Sequence, residues 1–137
     1  MTSPATAVTR TSLVAVYGTL KRGLRNHYWL EGADFVGVDR LDTITLYDLG
    51  HCPAAKTERS RGVEVEVYRV TAQILGELDR LEDYRIRTPR AGMYDRILQR
   101  TAYGTAWLYL YNHDVRGCPA QHEGGWLPAR QERRGHV

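Results

Sequence analysis

Val14-Ala15-Val16-Tyr17-Gly18-Thr19-Leu20-Lys21-Arg22-Gly23 is the stretch whose reading decides the fold. With Leu13 ahead of it, its first half is an apolar run of β-formers, as expected of a strand buried on both faces. Gly18 and Gly23 then bracket a turn that needs unusual backbone angles or the close approach of another group. Thr19 sits inside this turn, and Lys21, Arg22 and Arg25 follow it. A buried strand opening into a glycine-bounded, cationic loop can aim several backbone N–H groups at one small acidic ligand. The same pattern also suits an ordinary strand end followed by a solvated basic face.

Working outward, residues 33–38 and 40–47 read as two strands, and 48–53 as a turn in which Gly50 permits a positive φ and Pro53 fixes the exit. Residues 26–31 suit a short helical turn. In the strand at 62–70, Val63, Val65 and Val67 alternate with Glu64, Glu66 and Tyr68, which predicts one dry face and one wetter face. Residues 71–84 predict a helix, with Thr71 as N-cap and Ile74, Leu75, Leu78 and Leu81 as one apolar stripe. Strands at 93–101 and 105–111 follow, with Trp107, Tyr109 and Tyr111 on one face of the second. Residues 1–12 and 128–137 read as flexible tails around a single domain at 13–127, onto which Trp126 and Leu127 anchor. Strands, one strong helix and then strands again lack the alternation of a doubly wound sheet. The class is therefore α+β with a mixed or closed sheet.

With 137 residues the chain suits one core. No apolar run reaches the roughly 20 residues of a membrane span, and the first residues lack the pattern of a signal peptide, so a cytoplasmic protein is expected. Cys52 and Cys118 form no CxxC, and the five histidines are scattered, so no metal site is expected. The net charge of +3 is carried almost wholly by arginine, and the basic residues are spread among acidic ones. No concentrated patch points to nucleic acid. No nucleophile motif or Walker loop is present, and the sequence carries no signal of oligomeric state.

The most informative single residue is Glu82. A helix advances about 100° per residue. Glu82 lies four residues beyond Leu78 and seven beyond Leu75, so it projects from the apolar stripe. Glu77, Asp79, Arg80 and Asp83 fall elsewhere and read as solvated. A carboxylate turned inward has a raised pKa, and the carbonyl-rich end of a helix adds to the rise. Such a group suits general acid–base work near neutral pH. The alternatives are that the helix frays and Glu82 turns to water, or that it pairs with Arg85 or Arg96. Glu64, Glu66 and Tyr68 could face the same space, and Tyr94, Tyr109 and Tyr111 could offer hydroxyl donors to a compact pocket.

Several segments together resemble the γ-glutamylcyclotransferase-like family, and its small single-domain bacterial members and γ-glutamylamine cyclotransferases above all. They are Val16-Tyr17-Gly18-Thr19-Leu20-Lys21-Arg22-Gly23 with Asn26-His27, Leu46-Tyr47-Asp48-Leu49-Gly50 with Pro53, and Glu66-Val67-Tyr68. Leu78-Asp79-Arg80-Leu81-Glu82-Asp83-Tyr84, Tyr94 with Arg96, and Ala106-Trp107-Leu108-Tyr109-Leu110-Tyr111 complete the set. The resemblance implies a small mixed β-barrel flanked by helices, with a cavity at its mouth. It implies that Tyr17, Gly18, Thr19 and Leu20 bind a γ-glutamyl group, with Tyr94 and Tyr111 as further substrate-binding residues and Glu82 as catalytic acid/base. The implied partner is a small γ-glutamyl molecule, converted without a cofactor to 5-oxoproline and a free amine. A non-catalytic module that binds a small ligand in the same pocket, or another amide-processing enzyme, is the rival expectation.

Overall fold

The structure, a computed structural model, describes residues 2–126. Eight strands and two α-helices are present among them. The helices are α1 (Pro4–Arg10) and α2 (Ala72–Leu81), and the strands are β1 (Leu13–Val16), β2 (Asp34–Leu41), β3 (Thr45–Asp48), β4 (Pro53–Lys56), β5 (Val63–Arg69), β6 (Tyr94–Thr101), β7 (Gly104–Tyr111) and β8 (Ala120–Gln121). A five-stranded mixed sheet has the order β2-β5-β1-β7-β6, with only β1 and β7 parallel. A second, three-stranded sheet has the order β4-β3-β8. The α+β class with mixed strands is as expected. The expected barrel takes the form of these two sheets, and no hydrogen-bonded ring closes among the described residues.

β1 is the central strand, and every residue of it is buried. Its side chains alternate between two cores. Leu13, Ala15 and Tyr17 face a core shared with Leu46, Ala55, Val63, Val65, Val67 and Leu108, which lies between the sheets. Val14 and Val16 face the helices, joining Leu75, Leu78, Trp107 and Tyr109. The layers are therefore small sheet, large sheet and helices. The same alternation sorts β5 and β7, as their period-two patterns predict.

Several segments differ from the sequence reading, among them the helix expected over 71–84, which ends at Leu81. Within the first expected tail, residues 2–12 are not loose: α1 is capped by Ser3, whose hydroxyl accepts from Thr6 N–H, and it buries Ala7 completely. Trp107 Nε1 donates to the carbonyls of Ala7 and Thr11 at 3.2 and 3.1 Å, so a side chain from the sheet tethers this helix. The strand expected over 40–47 is broken after Leu41, and the chain re-forms as the β3–β4 hairpin around Gly50, whose φ is +104°. The second expected tail and Leu127 lie outside the described residues; Trp126 is buried in the inter-sheet core.

Candidate active site

β1 delivers the chain into the Gly18–Gly23 turn. The two glycines serve different needs there. Gly23 has a φ of +83° and stands in open space. Gly18 is a close approach, since a Cβ on it would lie 2.6 and 2.8 Å from Cγ and Cδ of Pro53. Lys21 N–H donates to the Gly18 carbonyl, and Asn26 N–H donates to the Thr19 carbonyl, both at 3.0 Å. Asn26 Nδ2 also donates to the Thr19 hydroxyl at 2.9 Å. The N–H groups of Thr19 and Leu20 have no acceptor among the described residues. The loop is thus held from behind, with donors left over. We expect Gly18→Ala to cost about 1–3 kcal/mol, as overpacking against a rigid ring does. Urea melts read this directly, and an unchanged midpoint would mean that Pro53 is not a fixed wall.

α2 supplies the opposite side. Thr71 caps its start, its hydroxyl accepting from Ile74 N–H, and the last helical residue is Leu81. Glu82 stands at the C-cap, its N–H donating to the Leu78 carbonyl at 2.9 Å. Asp83 then turns the chain away with a φ of +55°, a left-handed conformation that aspartate tolerates better than most residues. Its side chain accepts from Met93 N–H at 3.1 Å. Glu82 is only partly exposed, and its carboxylate makes no hydrogen bond or ion pair among the described residues. The two pairing alternatives are therefore taken by other residues: Arg96 pairs with Asp79, and Arg85 with Asp83. Burial pushes the Glu82 carboxyl up from 4.5 to about 7.

Between loop and helix end lies a cavity of about 250 Å³. It is lined by Tyr17, Gly18, Thr19, Leu20, Glu82 and Tyr94, so six of the seven expected site residues meet there. Tyr111 does not line it; its ring stands behind Tyr94, edge-on at 5.2 Å. Glu64, Glu66 and Tyr68 also lie elsewhere. Glu66 is buried beneath the outer side of the loop, accepting from Arg22 N–H at 2.9 Å and the Tyr68 hydroxyl at 2.8 Å. Arg25, Asn26, His51, Cys52 and Met93 join the lining without having been expected there, and Tyr109, one of the three tyrosines expected to offer a hydroxyl, lines it as well. Cys52 and His51 arrive through the β3–β4 turn, and Arg25 Nη2 donates across the mouth to the His51 carbonyl at 2.7 Å.

Of the three expected hydroxyl donors, Tyr94 and Tyr109 are already committed, as is Tyr17. Tyr17 donates to the Tyr109 carbonyl at 2.6 Å, Tyr94 to the Pro53 carbonyl at 2.9 Å, and Tyr109 to Asp79 Oδ1 at 2.6 Å. Asp79, read from the sequence as solvated, is buried. Both its oxygens accept from Arg96, at 2.8 and 3.1 Å, and the Arg96 guanidinium lies over the rings of Tyr84 and Trp107. Burial drives the Asp79 carboxyl upward against the opposing effects of Tyr109 and Arg96. Glu82 is therefore the carboxylate left free beside the cavity.

Fold and cavity define a class: a small α+β domain whose cavity is lined by a loop with free backbone donors and by a single acidic group, suited to a compact polar ligand. The particular family follows from comparison, because residues 14–128 match the family model described as "Gamma-glutamyl cyclotransferase, AIG2-like", and the chain belongs to that family. It is 40% identical over 114 residues to the Gamma-glutamylcyclotransferase family protein YtfP of Escherichia coli K12, covering 83% of this chain and 95% of that one. The solution structure of E. coli ytfP superposes with a TM-score of 0.66 at 38% identity, over 87% of this chain and 98% of that one. The crystal structure of PH0828 from Pyrococcus horikoshii superposes with a TM-score of 0.74 at 29% identity, over 92% and 98%.

Proposed function

We propose that this protein is a γ-glutamyl cyclotransferase that converts a small γ-glutamyl amine or peptide to 5-oxoproline and a free amine, with Glu82 as general acid/base. The observation that carries the reading is that the unpaired, partly buried Glu82 lines the same cavity as Thr19 and Leu20, whose N–H groups have no acceptor among the described residues. An α-amino acid end fits such a cavity, its carboxylate on the loop donors and its ammonium toward Glu82.

The chemistry follows from that placement. The α-ammonium must lose a proton before its nitrogen can attack the γ-carbonyl of the same molecule. Glu82 takes the proton; the new N–C bond forms and the old amide C–N bond breaks. The two protons shed by the ring nitrogen end on the departing nitrogen, which leaves as an ammonium. Attacking and leaving groups belong to one bound molecule, so folding it into a reactive shape supplies much of the acceleration. No water and no cofactor enter the balance. Because the hydroxyl protons of Tyr17, Tyr94 and Tyr109 are already donated, the developing oxyanion depends on an N–H group of the loop that the α-carboxylate leaves open, a well-placed donor being worth about 3 kcal/mol.

A panel of γ-glutamyl amides and dipeptides, assayed for 5-oxoproline, tests the reading, and absence of product from all of them would overturn it. The pH profile tests the assignment. Glu82 must be ionised to accept a proton, so kcat/KM should climb tenfold per unit at acid pH and level off near pH 7. A profile flat from pH 5 to 8 would remove Glu82 from the proton path.

A further inference from the structure

The three tyrosines that meet at the cavity share a property the sequence does not reveal: each has its hydroxyl proton engaged elsewhere. Tyr17 and Tyr94 donate to carbonyls, and Tyr109 donates to a carboxylate. A hydroxyl whose proton is spent can only accept from anything that enters. Tyr109 is the strongest acceptor of the three, because a hydrogen bond to an anion leaves its oxygen richest in electron density.

Asp79 can hold the Tyr109 proton permanently because Arg96 fixes both its oxygens, and Arg96 is itself clamped between Tyr84 and Trp107. Asp79 also lies three residues before Glu82, so the two carboxylates sit on one side of the end of α2. One is closed by a guanidinium and orients a phenol; the other is open. The negative charge of Glu82 reaches the Tyr109 hydroxyl and helps to hold it protonated. The cavity lining thus combines the spare N–H donors of the loop with three hydroxyl oxygens that can only accept, beside the open carboxylate of Glu82.

We propose that Tyr109 is a substrate-contacting residue that selects the α-ammonium group, its hydroxyl oxygen accepting from that ammonium beside Glu82, with the Asp79–Arg96 pair as its positioning device. This rests on the cyclotransferase reading for the identity of the ligand, and it adds how the free amine of a γ-glutamyl compound is told from a hydrogen or an acyl amine at the same carbon.

The test compares γ-glutamyl ethylamide with glutaric acid monoethylamide, which lacks the amine and cannot cyclise. The variant is Tyr109→Phe, which keeps the ring and the Tyr17 contact to the backbone carbonyl. The expected result is a rise of at least about tenfold in KM for the amine-bearing compound, the size of one lost charged hydrogen bond, with the inhibition constant of the des-amino compound unchanged. A general loosening of the pocket would weaken both compounds equally and would overturn the proposal, as would no change in either. If the wild-type protein releases 5-oxoproline from no member of the γ-glutamyl panel, the cyclotransferase reading fails. The same comparison then runs as calorimetric titrations, where loss of amine-dependent affinity in Tyr109→Phe supports the selector role and equal affinities in both proteins overturn it. A melting curve for each protein establishes that both are folded.

Discussion

Glu82→Gln should release 5-oxoproline at least about a hundredfold more slowly than the wild-type protein, and up to about ten-thousandfold, the span that a positioned acid–base group supplies. The amide has nearly the same shape and cannot take up the proton. Stability should move the other way. The Glu82 carboxyl titrates near 7 when folded and near 4.5 when exposed. Between those values the folded chain binds more protons than the unfolded one, so stability falls as pH rises through that window. Glutamine does not titrate. The variant should therefore gain melting temperature over the wild type at pH 8 and gain little or none at pH 4.5. The gain at pH 8 has an upper bound of about 3 kcal/mol. Circular dichroism melts at the two pH values, beside rate assays, check both halves. Near-normal turnover, or a pH-independent stability difference, would each contradict this account of Glu82.

The largest stability effect should come from Asp79. Its partner Arg96 has a side chain with no exposed surface. Asp79→Ala leaves that guanidinium charged and without its carboxylate, which costs about 3–5 kcal/mol. For a domain of this size that is a fall of about 10–20 °C in Tm. Replacing both partners together, Asp79→Leu with Arg96→Met, should recover most of the loss, because the apolar pair carries no desolvation penalty. Thermal melts of the two variants measure the difference. A single variant as stable as the wild type would show that the pair is not closed off from water.

These two carboxylates show where the sequence was legible. Glu82 could be read from its own helix, because its position on an apolar stripe is a local, periodic fact. Asp79 lies four residues beyond Leu75 and shares that side of the helix, but the groups that close it off come from other segments: Arg96 from β6, Tyr109 from β7, and the Thr2 carbonyl, which accepts from Arg96 at 2.8 Å. A helical wheel knows only the stripe of its own helix. The N-terminal helix was missed for a related reason. Its single deeply buried residue is an alanine, too small to mark a stripe, and the tether from Trp107 comes from a hundred residues away. The β1 loop was legible because its glycines mark a local demand on the backbone, although only the structure separates the positive φ at Gly23 from the Pro53 contact at Gly18. Tyr111 was placed on the correct face of β7, but that strand reaches the cavity through Tyr109. Arg25, His51 and Cys52 reached the lining through turns whose meeting no local pattern encodes.

The central claim is that the substrate closes on itself, with Glu82 moving the protons and water taking no part. Running the wild-type reaction on a γ-glutamyl amide in ¹⁸O-enriched water tests it most directly. The account predicts 5-oxoproline carrying no excess label, because its ring carbonyl keeps the oxygen the substrate brought. Labelled glutamate as the product would mean hydrolysis in place of cyclisation, and no product from any γ-glutamyl amide would mean a cavity that binds without turnover; either result contradicts the claim.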